Sequence, residues 1–241
     1  MQNYCIITFK KEFIMSNISV KYIGHSAFFI KSQNAGILID PFISQNPVAK
    51  FDYTQEKITH IFVTHGHSDH LGDAIEISKN TGALIVTIFE LANYCEEKGA
   101  NVLGVNLGGK LNFDFGSAIF YPAFHSSSTS EGIYAGCASS ICFNINGVKI
   151  YHAGDTCLTQ EFKTVKEQFA PQISMLPIGG IFTMDIEEAA IAAKWLGSEY
   201  IIPIHYNTFP PIQADVQKFG ELIVKNGQKC VIMGANNQIE V

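Results

Sequence analysis

The sequence predicts an α/β domain in which β-sheets lie inside and helices lie outside. Short apolar runs alternate with segments of helical periodicity in both halves of the chain. No linker rich in proline, glycine or serine separates the halves, and a 241-residue chain that is 47% hydrophobic can bury one substantial core. We therefore predict a single domain over residues 18–241. Residues 1–17 are predicted to be an N-terminal extension, with Met15 as an alternative translation start.

The first half of the chain begins with a predicted meander. Residues 18–23 and 26–31 alternate or run apolar, and a turn at 33–36 leads into a third apolar run at 37–39. A strand at 60–63, a helix over 73–79, a strand at 83–87 and a helix over 89–98 follow in order.

The second half of the chain repeats this rhythm. After a strand at 118–121, apolar runs at 140–145 and 148–152 flank Asn146-Gly147, which is the strongest short signal for a hairpin. We then predict a strand at 173–176, a helix over 185–196 capped by Asp185 and Glu188, a strand at 200–204, a helix near 214–225 and a last strand at 229–233.

A dense cluster of metal-binding side chains follows the strand at 60–63. His65, His67, Asp69 and His70 lie within six consecutive positions. Burying these groups together is costly unless a divalent cation satisfies them. His65 and His67 are two positions apart in an extended segment and so face one side, whereas Asp69 and His70 follow where the strand gives way to a loop or helix. Two ligand directions suggest two metal ions.

Three further candidate ligands occur singly at strand ends. His125 follows the strand at 118–121, Asp155 follows the Asn-Gly hairpin, and His205 follows the strand at 200–204. Loops at strand ends are where an open sheet or a sandwich places its active-site residues. These residues are therefore candidates to complete a second metal site.

The motifs resemble those of the metallo-β-lactamase superfamily. Residues 64–70 are similar to its HxHxDH signature, and the three strand-end residues fall in the order of its remaining ligands. More narrowly, residues 21–26, 125–128, 152–156, 176–180 and 202–209 resemble a branch of metal-dependent hydrolases related to ascorbate-6-phosphate lactonase. The resemblance covers nearly all of residues 18–241. It implies an αββα sandwich, in which helices flank two mixed β-sheets.

The resemblance also implies a ligand set. It assigns His65, His67 and His125 to one metal ion, Asp69, His70 and His205 to the other, and Asp155 to a bridging position between them. Two such cations can polarise a carbonyl or phosphoryl oxygen and hold a bridging hydroxide as nucleophile. Asp69 and Asp155 are the residues expected to act in catalysis. Zinc suits these donors, with manganese, iron and nickel as alternatives.

We expect a cytoplasmic hydrolase that cleaves an ester, lactone or phosphodiester bond of a small molecule. A nucleotide phosphodiesterase or nuclease of the same fold is one alternative, and a non-enzymatic metal-binding protein is another. A diiron redox protein is disfavoured because that branch carries glutamate where this chain has His67. The net charge of −6, without a basic cluster, disfavours nucleic acid as partner. No apolar run is long enough for a membrane span, and a homo-oligomer is left open.

Several residues near these motifs have two interpretations. His25 and His152 either orient a ligand or are buried structural residues. Cys157 either faces the pocket or packs, and we expect packing. Asp40, which precedes Pro41, either orients a metal ligand from behind or forms a turn, and we expect a turn former. The six cysteines are scattered without a CxxC pair, which favours reduced thiols.

Overall fold

The computed structural model describes residues 18–241, and its strands form two mixed seven-stranded sheets. In chain order the strands are β1 (Ser19–Gly24), β2 (Ala27–Lys31), β3 (Gly36–Ile39), β4 (His60–Phe62), β5 (Leu84–Ile88), β6 (Val102–Val105), β7 (Lys110–Phe113), β8 (Gly116–Pro122), β9 (Ser139–Ile145), β10 (Val148–His152), β11 (Ile173–Pro177), β12 (Tyr200–Ile204), β13 (Lys229–Cys230) and β14 (Gln238–Glu240). The first sheet has the order β14-β1-β2-β3-β4-β5-β6. The second has the order β13-β12-β11-β10-β9-β8-β7.

Helices cover the outer faces of both sheets. They are α1 (Ser68–Leu71), α2 (Ala74–Thr81), α3 (Phe89–Glu97), α4 (Glu161–Gln168), α5 (Ile186–Leu196) and α6 (Val216–Lys225). Buried side chains of α2 and α3, such as Ile77 and Leu91, pack on the first sheet. Phe162 of α4 and Phe219 of α6 pack on the second sheet. The predicted αββα sandwich is therefore confirmed.

The main core lies between the two sheets. Phe62 of β4 is fully buried there, and its ring lies 4.9 Å from that of Phe143 on β9 and 6.2 Å from that of Phe120 on β8. These centroid distances are typical of favourable aromatic packing. The alternating apolar pattern of the strands thus supplies the contact that holds one sheet against the other.

The Asn-Gly hairpin and the capped helix form as the sequence predicts. Val148 lies opposite Ile145 across the turn, with φ angles of 48° at Asn146 and 92° at Gly147. Positive φ at both turn residues matches the twist of the flanking strands. Asp185 caps α5 by accepting a hydrogen bond from the backbone N–H of Glu188 at 2.9 Å.

Five elements were missed because their residues carry a weak apolar pattern. They are β6, β7, β14, the four-residue α1 and α4. The strands β6, β7 and β14 lie at sheet edges and are mostly half-exposed or exposed; β7 and β14 mix polar and apolar residues, and β6 is a short apolar run interrupted by Gly104. Helix α4 buries only Phe162 and Val165.

The predicted last strand at 229–233 was too long. The strand ends at Cys230, although the Val231 N–H still donates to the Ile201 carbonyl of β12, and the chain then leaves the second sheet to reach β14 at the edge of the first. The predicted extension at residues 1–17 and the alternative start at Met15 lie outside the described residues. Among residues 18–241, no helix is long and apolar enough to cross a bilayer.

The strand directions bring the predicted site residues to one edge of the sandwich. In the first sheet β3 and β4 are parallel. In the second, β8 and β10 are both antiparallel to β9 and therefore share a direction with each other and with β11 and β12. The sheets meet at this edge, where the backbone N–H and hydroxyl of Ser139 both donate to the carbonyl of Thr64. The loops that leave these strands form the candidate site.

We expect Phe62→Ala to lower the free energy of unfolding by about 3–5 kcal/mol, because it leaves a cavity between the sheets. Urea denaturation of the metal-free protein measures this change. Phe89→Ala is the matched control, since Phe89 is 56% exposed and its loss should change stability by at most about 0.5 kcal/mol. Equal effects of the two substitutions would contradict this account of the core.

Candidate metal centre

Eight side chains meet at the strand ends, namely the seven predicted ligands and His25. His65, His67 and His125 form one group of potential ligands, and His25, Asp69, His70 and His205 form another. Within each group, one donor atom per residue lies within 4.8 Å of the others. Asp155 satisfies the same criterion together with His65 and His70. The fold therefore brings together every residue predicted as a ligand.

The first group is held by an extended segment that a hairpin-like loop covers. His65 Nε2 lies 3.0 Å from His67 Nδ1, and the ring of His125 is 5.1 Å from both of theirs. Gly66 separates the two histidines, and a Cβ there would lie 2.5 Å from the Cβ of Ala135. Only glycine at position 66 lets the covering loop approach this closely.

The second group depends on two residues in the left-handed backbone region. His25 has a φ of 61° and His205 a φ of 53°, and the N–H of His205 donates to the carbonyl of His25 at 2.8 Å. Asp69 Oδ2 lies 3.1 Å from His25 Nε2 and 3.6 Å from His205 Nε2. Strained conformations of this kind persist where the surrounding structure holds them, and they cluster at functional sites.

Asp155 lies between the two groups. Its Oδ1 is 3.2 Å from His70 Nε2, and its Oδ2 is 3.1 Å from His205 Nε2 and 3.6 Å from His125 Nε2. The carboxylate thus contacts imidazoles of both groups. From this position a carboxylate can bind two cations at once.

Asp40 is part of the site, which corrects the expectation that it is a turn former. Its Oδ2 accepts hydrogen bonds from His70 Nδ1 and from the Thr64 hydroxyl, each at 2.8 Å. The Thr64 hydroxyl in turn lies 3.0 Å from His65 Nδ1. Both histidines therefore have their Nδ1 atoms engaged and present Nε2 to the centre. Such outer hydrogen bonds fix the tautomer and orientation of metal-binding histidines.

The structure separates the roles of His25 and His152. The Nε2–H of His25 faces Asp69 at 3.1 Å, and its Nδ1 lies 2.6 Å from the Thr208 hydroxyl. His25 therefore touches the candidate metal centre. His152 instead donates through Nε2 to the Ser26 carbonyl and accepts at Nδ1 from the Gly154 N–H. Both its ring nitrogens are used, so it is a buried structural residue.

Cys157 does not pack in the core, contrary to expectation. It is exposed, in the loop that follows Asp155. Its backbone N–H lies 3.4 Å from the Phe124 carbonyl, which places the loop beside the residue that precedes His125. The thiol is thus on the surface near the opening of the site.

The chemistry of the donor atoms fits a metal centre. His70 Nε2, Asp155 Oδ1 and His205 Nε2 are buried and lack hydrogen-bond geometry, although both imidazole nitrogens lie 3.1–3.2 Å from an Asp155 oxygen. Leaving a buried polar atom without a partner costs about 1–3 kcal/mol, and more for charged groups. Imidazole and carboxylate donors that converge in this way suit a divalent cation such as zinc. The residues present therefore fit the divalent metal that the sequence motifs imply.

Burial and neighbouring carboxylates shift the pKa values of the histidines in opposite directions. Burial lowers the pKa of His65, His67 and His125, which keeps those imidazoles neutral. Burial also acts on His205, but the Asp155 carboxylate outweighs it and raises the pKa of His205 to about 9. Asp155 likewise raises the pKa of His70 well above its usual range against the effect of burial.

Comparison with known proteins connects this geometry to a family. The family model described as "Beta-lactamase superfamily domain" matches residues 19–205. The chain is also 45% identical over 210 residues to a UPF0173 metal-dependent hydrolase of Geobacillus thermodenitrificans, covering 86% of this chain and 93% of the relative. The chain belongs to the β-lactamase superfamily. A second metal-dependent hydrolase, from Staphylothermus marinus, is 46% identical over 211 residues and is matched over 85% of this chain and 90% of its own.

A solved structure supports the assignment of the chain to the β-lactamase superfamily. Igni18, described as a novel metallo hydrolase from the hyperthermophilic archaeon Ignicoccus hospitalis, is 38% identical. It superposes with a TM-score of 0.85 over 92% of this chain and 97% of its own. The expected superfamily and the general activity are therefore confirmed: the protein is a metal-dependent hydrolase. The individual ligand assignments stay predictions.

We expect Asp40→Asn to weaken zinc binding by about 10–100-fold, because the amide cannot accept from all the donors that the carboxylate orients. Competition with a chromophoric chelator measures the affinity. Asp215→Asn is the control, because asparagine preserves the cap of α6 and the Asp215 carboxylate bonds only to the backbone of that helix. Unchanged zinc affinity in Asp40→Asn would show that Asp40 does not orient the ligands.

We expect zinc binding at pH 7.5 to release protons from the centre. The raised pKa values of His70 and His205 mean that both carry a proton there without metal, and a coordinating imidazole nitrogen must lose it. Affinity should therefore rise with pH up to about 9. Titration calorimetry in buffers of different ionisation enthalpy counts the released protons. Release of none would contradict the charge distribution described above.

Proposed function

We propose that this metal-dependent hydrolase uses a dinuclear centre to cleave an ester, lactone or phosphodiester bond of a small molecule. The supporting observation is the position of Asp155, whose carboxylate contacts imidazoles of both ligand groups. In this arrangement His65, His67 and His125 hold one cation and Asp69, His70 and His205 the other, with Asp155 shared. Zinc is the metal we favour for this donor set.

The bound cations would supply a water of lowered pKa and polarise the oxygen of the scissile bond. Hydrolysis then adds water across that bond. For an ester or lactone, the water oxygen bonds to the carbonyl carbon, the bond from that carbon to the leaving oxygen breaks, and a proton from water ends on the leaving oxygen.

Asp69 has the position needed to orient the water or accept its proton. Its side chain is 27% exposed, whereas those of His70, Asp155 and His205 are at most 3% exposed. Asp69 therefore reaches the opening of the site while its Oδ2 is held by His25. His25 is a positioning residue in this scheme, because it touches Asp69 and orients its carboxylate.

The side chain at position 67 supports hydrolysis over redox chemistry. Imidazole at this position gives a nitrogen-rich first group of three histidines, which suits zinc. A diiron redox site would be expected to carry a carboxylate here.

We place the activity in the cytoplasm, since Cys95, Cys137, Cys142, Cys157 and Cys230 are free thiols.

Metal analysis and generic substrates test the proposal. We expect two zinc ions per chain and hydrolysis of p-nitrophenyl acetate or bis-p-nitrophenyl phosphate that EDTA abolishes and zinc restores. Asp155→Ala should lower kcat at least 100-fold and reduce the metal content, because it removes the shared ligand. Lys218→Ala on α6 is the control. Full activity in Asp155→Ala, or one metal per chain in the active enzyme, would refute the dinuclear scheme.

A further inference from the structure

Three large apolar side chains are exposed beside the metal centre. Phe124 is 58% exposed, Ile181 78% and Phe182 56%. Phe124 precedes the candidate ligand His125 directly. We call Phe124, Ile181 and Phe182 the apolar rim. Exposed apolar groups on adjoining loops are the kind of surface that marks a binding site.

Hydrogen bonds join the loops of the apolar rim at Thr156, the residue after Asp155. The Phe124 N–H donates to the Thr156 hydroxyl at 3.1 Å, and the Met184 N–H donates to the Thr156 carbonyl at 3.2 Å. The N–H of Gly180 donates to the Met184 carbonyl at 3.0 Å, which closes the loop that carries Ile181 and Phe182. The rim is thereby tied to the backbone next to the central carboxylate.

The loop segments next to the candidate ligands contain no lysine or arginine, and Lys50, in the loop that begins at Asp40, lies just beyond them in sequence. The whole sequence has no arginine, and none of its 16 lysines falls in the loop segments that carry the site. Those segments are 40–49, 64–72, 122–139, 153–160, 178–185 and 205–213. Lys218 pairs with Glu187 on the outer helices, and Lys98 of the α3–β6 connection pairs with Glu131 of segment 122–139.

A substrate with extra negative charge would therefore find no lysine or arginine in these segments. Recognition of phosphate or carboxylate groups usually relies on such residues. Apart from the histidines, the charged side chains of these segments are Asp40, Asp69, Glu131, Asp155 and Asp185, and of these Glu131 is paired with Lys98. The surroundings of the centre thus disfavour an anionic substituent and favour an apolar one.

We propose that the apolar rim binds the hydrocarbon substituent of a neutral ester or lactone while the reacting carbonyl lies at the metal centre. This inference rests on the proposed function and narrows its substrate class, setting phosphodiesters aside. Covering the rim removes apolar surface from water, and each buried methylene strengthens binding by about fourfold. Phe124, Ile181 and Phe182 are then specificity-determining residues.

Binding of metal-chelating hydroxamates tests the rim without requiring turnover. Calorimetry on the zinc-loaded protein compares acetohydroxamate with octanohydroxamate, which share the chelating group and differ in chain length. We expect octanohydroxamate to bind at least tenfold more tightly. Phe182→Ser should reduce this ratio at least threefold and leave acetohydroxamate affinity unchanged. Val224→Ser is the matched control, since Val224 is 65% exposed on α6.

A ratio near one in the wild-type protein, or an unchanged ratio in both Phe182→Ser and Phe124→Ser, would overturn the proposal. It would also be overturned if these variants changed only the sedimentation coefficient, since the rim would then be a contact between two copies of the chain. Tighter binding of a dianionic alkylphosphonate than of the hydroxamate of equal chain length would assign the site to anionic substrates instead.

Ester hydrolysis separates this inference from the proposed function. We expect a higher kcat/KM for p-nitrophenyl hexanoate than for p-nitrophenyl acetate. In Phe182→Ser this difference should disappear because the KM for the hexanoate rises. Hydroxamate selectivity without hydrolysis of either ester would refute the hydrolytic scheme and keep the rim as a binding site. Equal hydrolysis of both esters without hydroxamate selectivity would keep the hydrolase and refute the rim.

Discussion

The carboxylate of Asp40 is the constraint on which the metal centre depends. It is fully buried and accepts hydrogen bonds from His70, from the Thr64 hydroxyl and from the Thr64 backbone N–H. Through Thr64 it also influences His65, so one carboxylate orients a histidine in each ligand group. Its backbone has a φ of 43°, which an aspartate adopts at a cost that these hydrogen bonds offset. The end of β3 therefore organises the ligand segment after β4.

The sandwich supplies the second half of the centre through strand direction. Loops after β8, β10 and β12 leave the second sheet at the edge where the ligand segment leaves the first. Aromatic packing between the sheets, with Phe62 at its centre, sets the separation of those loops. The contact of Ser139 with the Thr64 carbonyl ties the two edges together. Small shifts between the sheets would consequently move His125, Asp155 and His205 relative to the ligands of the first sheet and distort both groups.

Local pattern predicted most of the fold and the identity of the candidate ligands. The ligands His65, His67, Asp69 and His70 lie close together in sequence, and His125, Asp155 and His205 follow recognisable strands. The pattern failed where a residue's role depends on a distant partner. Asp40 acts on His70 thirty positions later, and His25 contacts Thr208, 183 positions away. The edge strands β7 and β14 were missed because partial exposure removes the apolar alternation on which strand prediction relies.

The wide spacing of the ligands along the chain has a consequence for biosynthesis. His65 and His205 come from opposite halves of the sequence, and both lie close to Asp155 in the folded protein. During translation, the amino-terminal cluster leaves the ribosome long before the strand that carries His205. The complete donor set therefore exists only after nearly the whole domain has been synthesised and both sheets have formed. Metal acquisition is in this way coupled to synthesis of the strand that precedes His205, and a product that ends before it would have the motif without the centre.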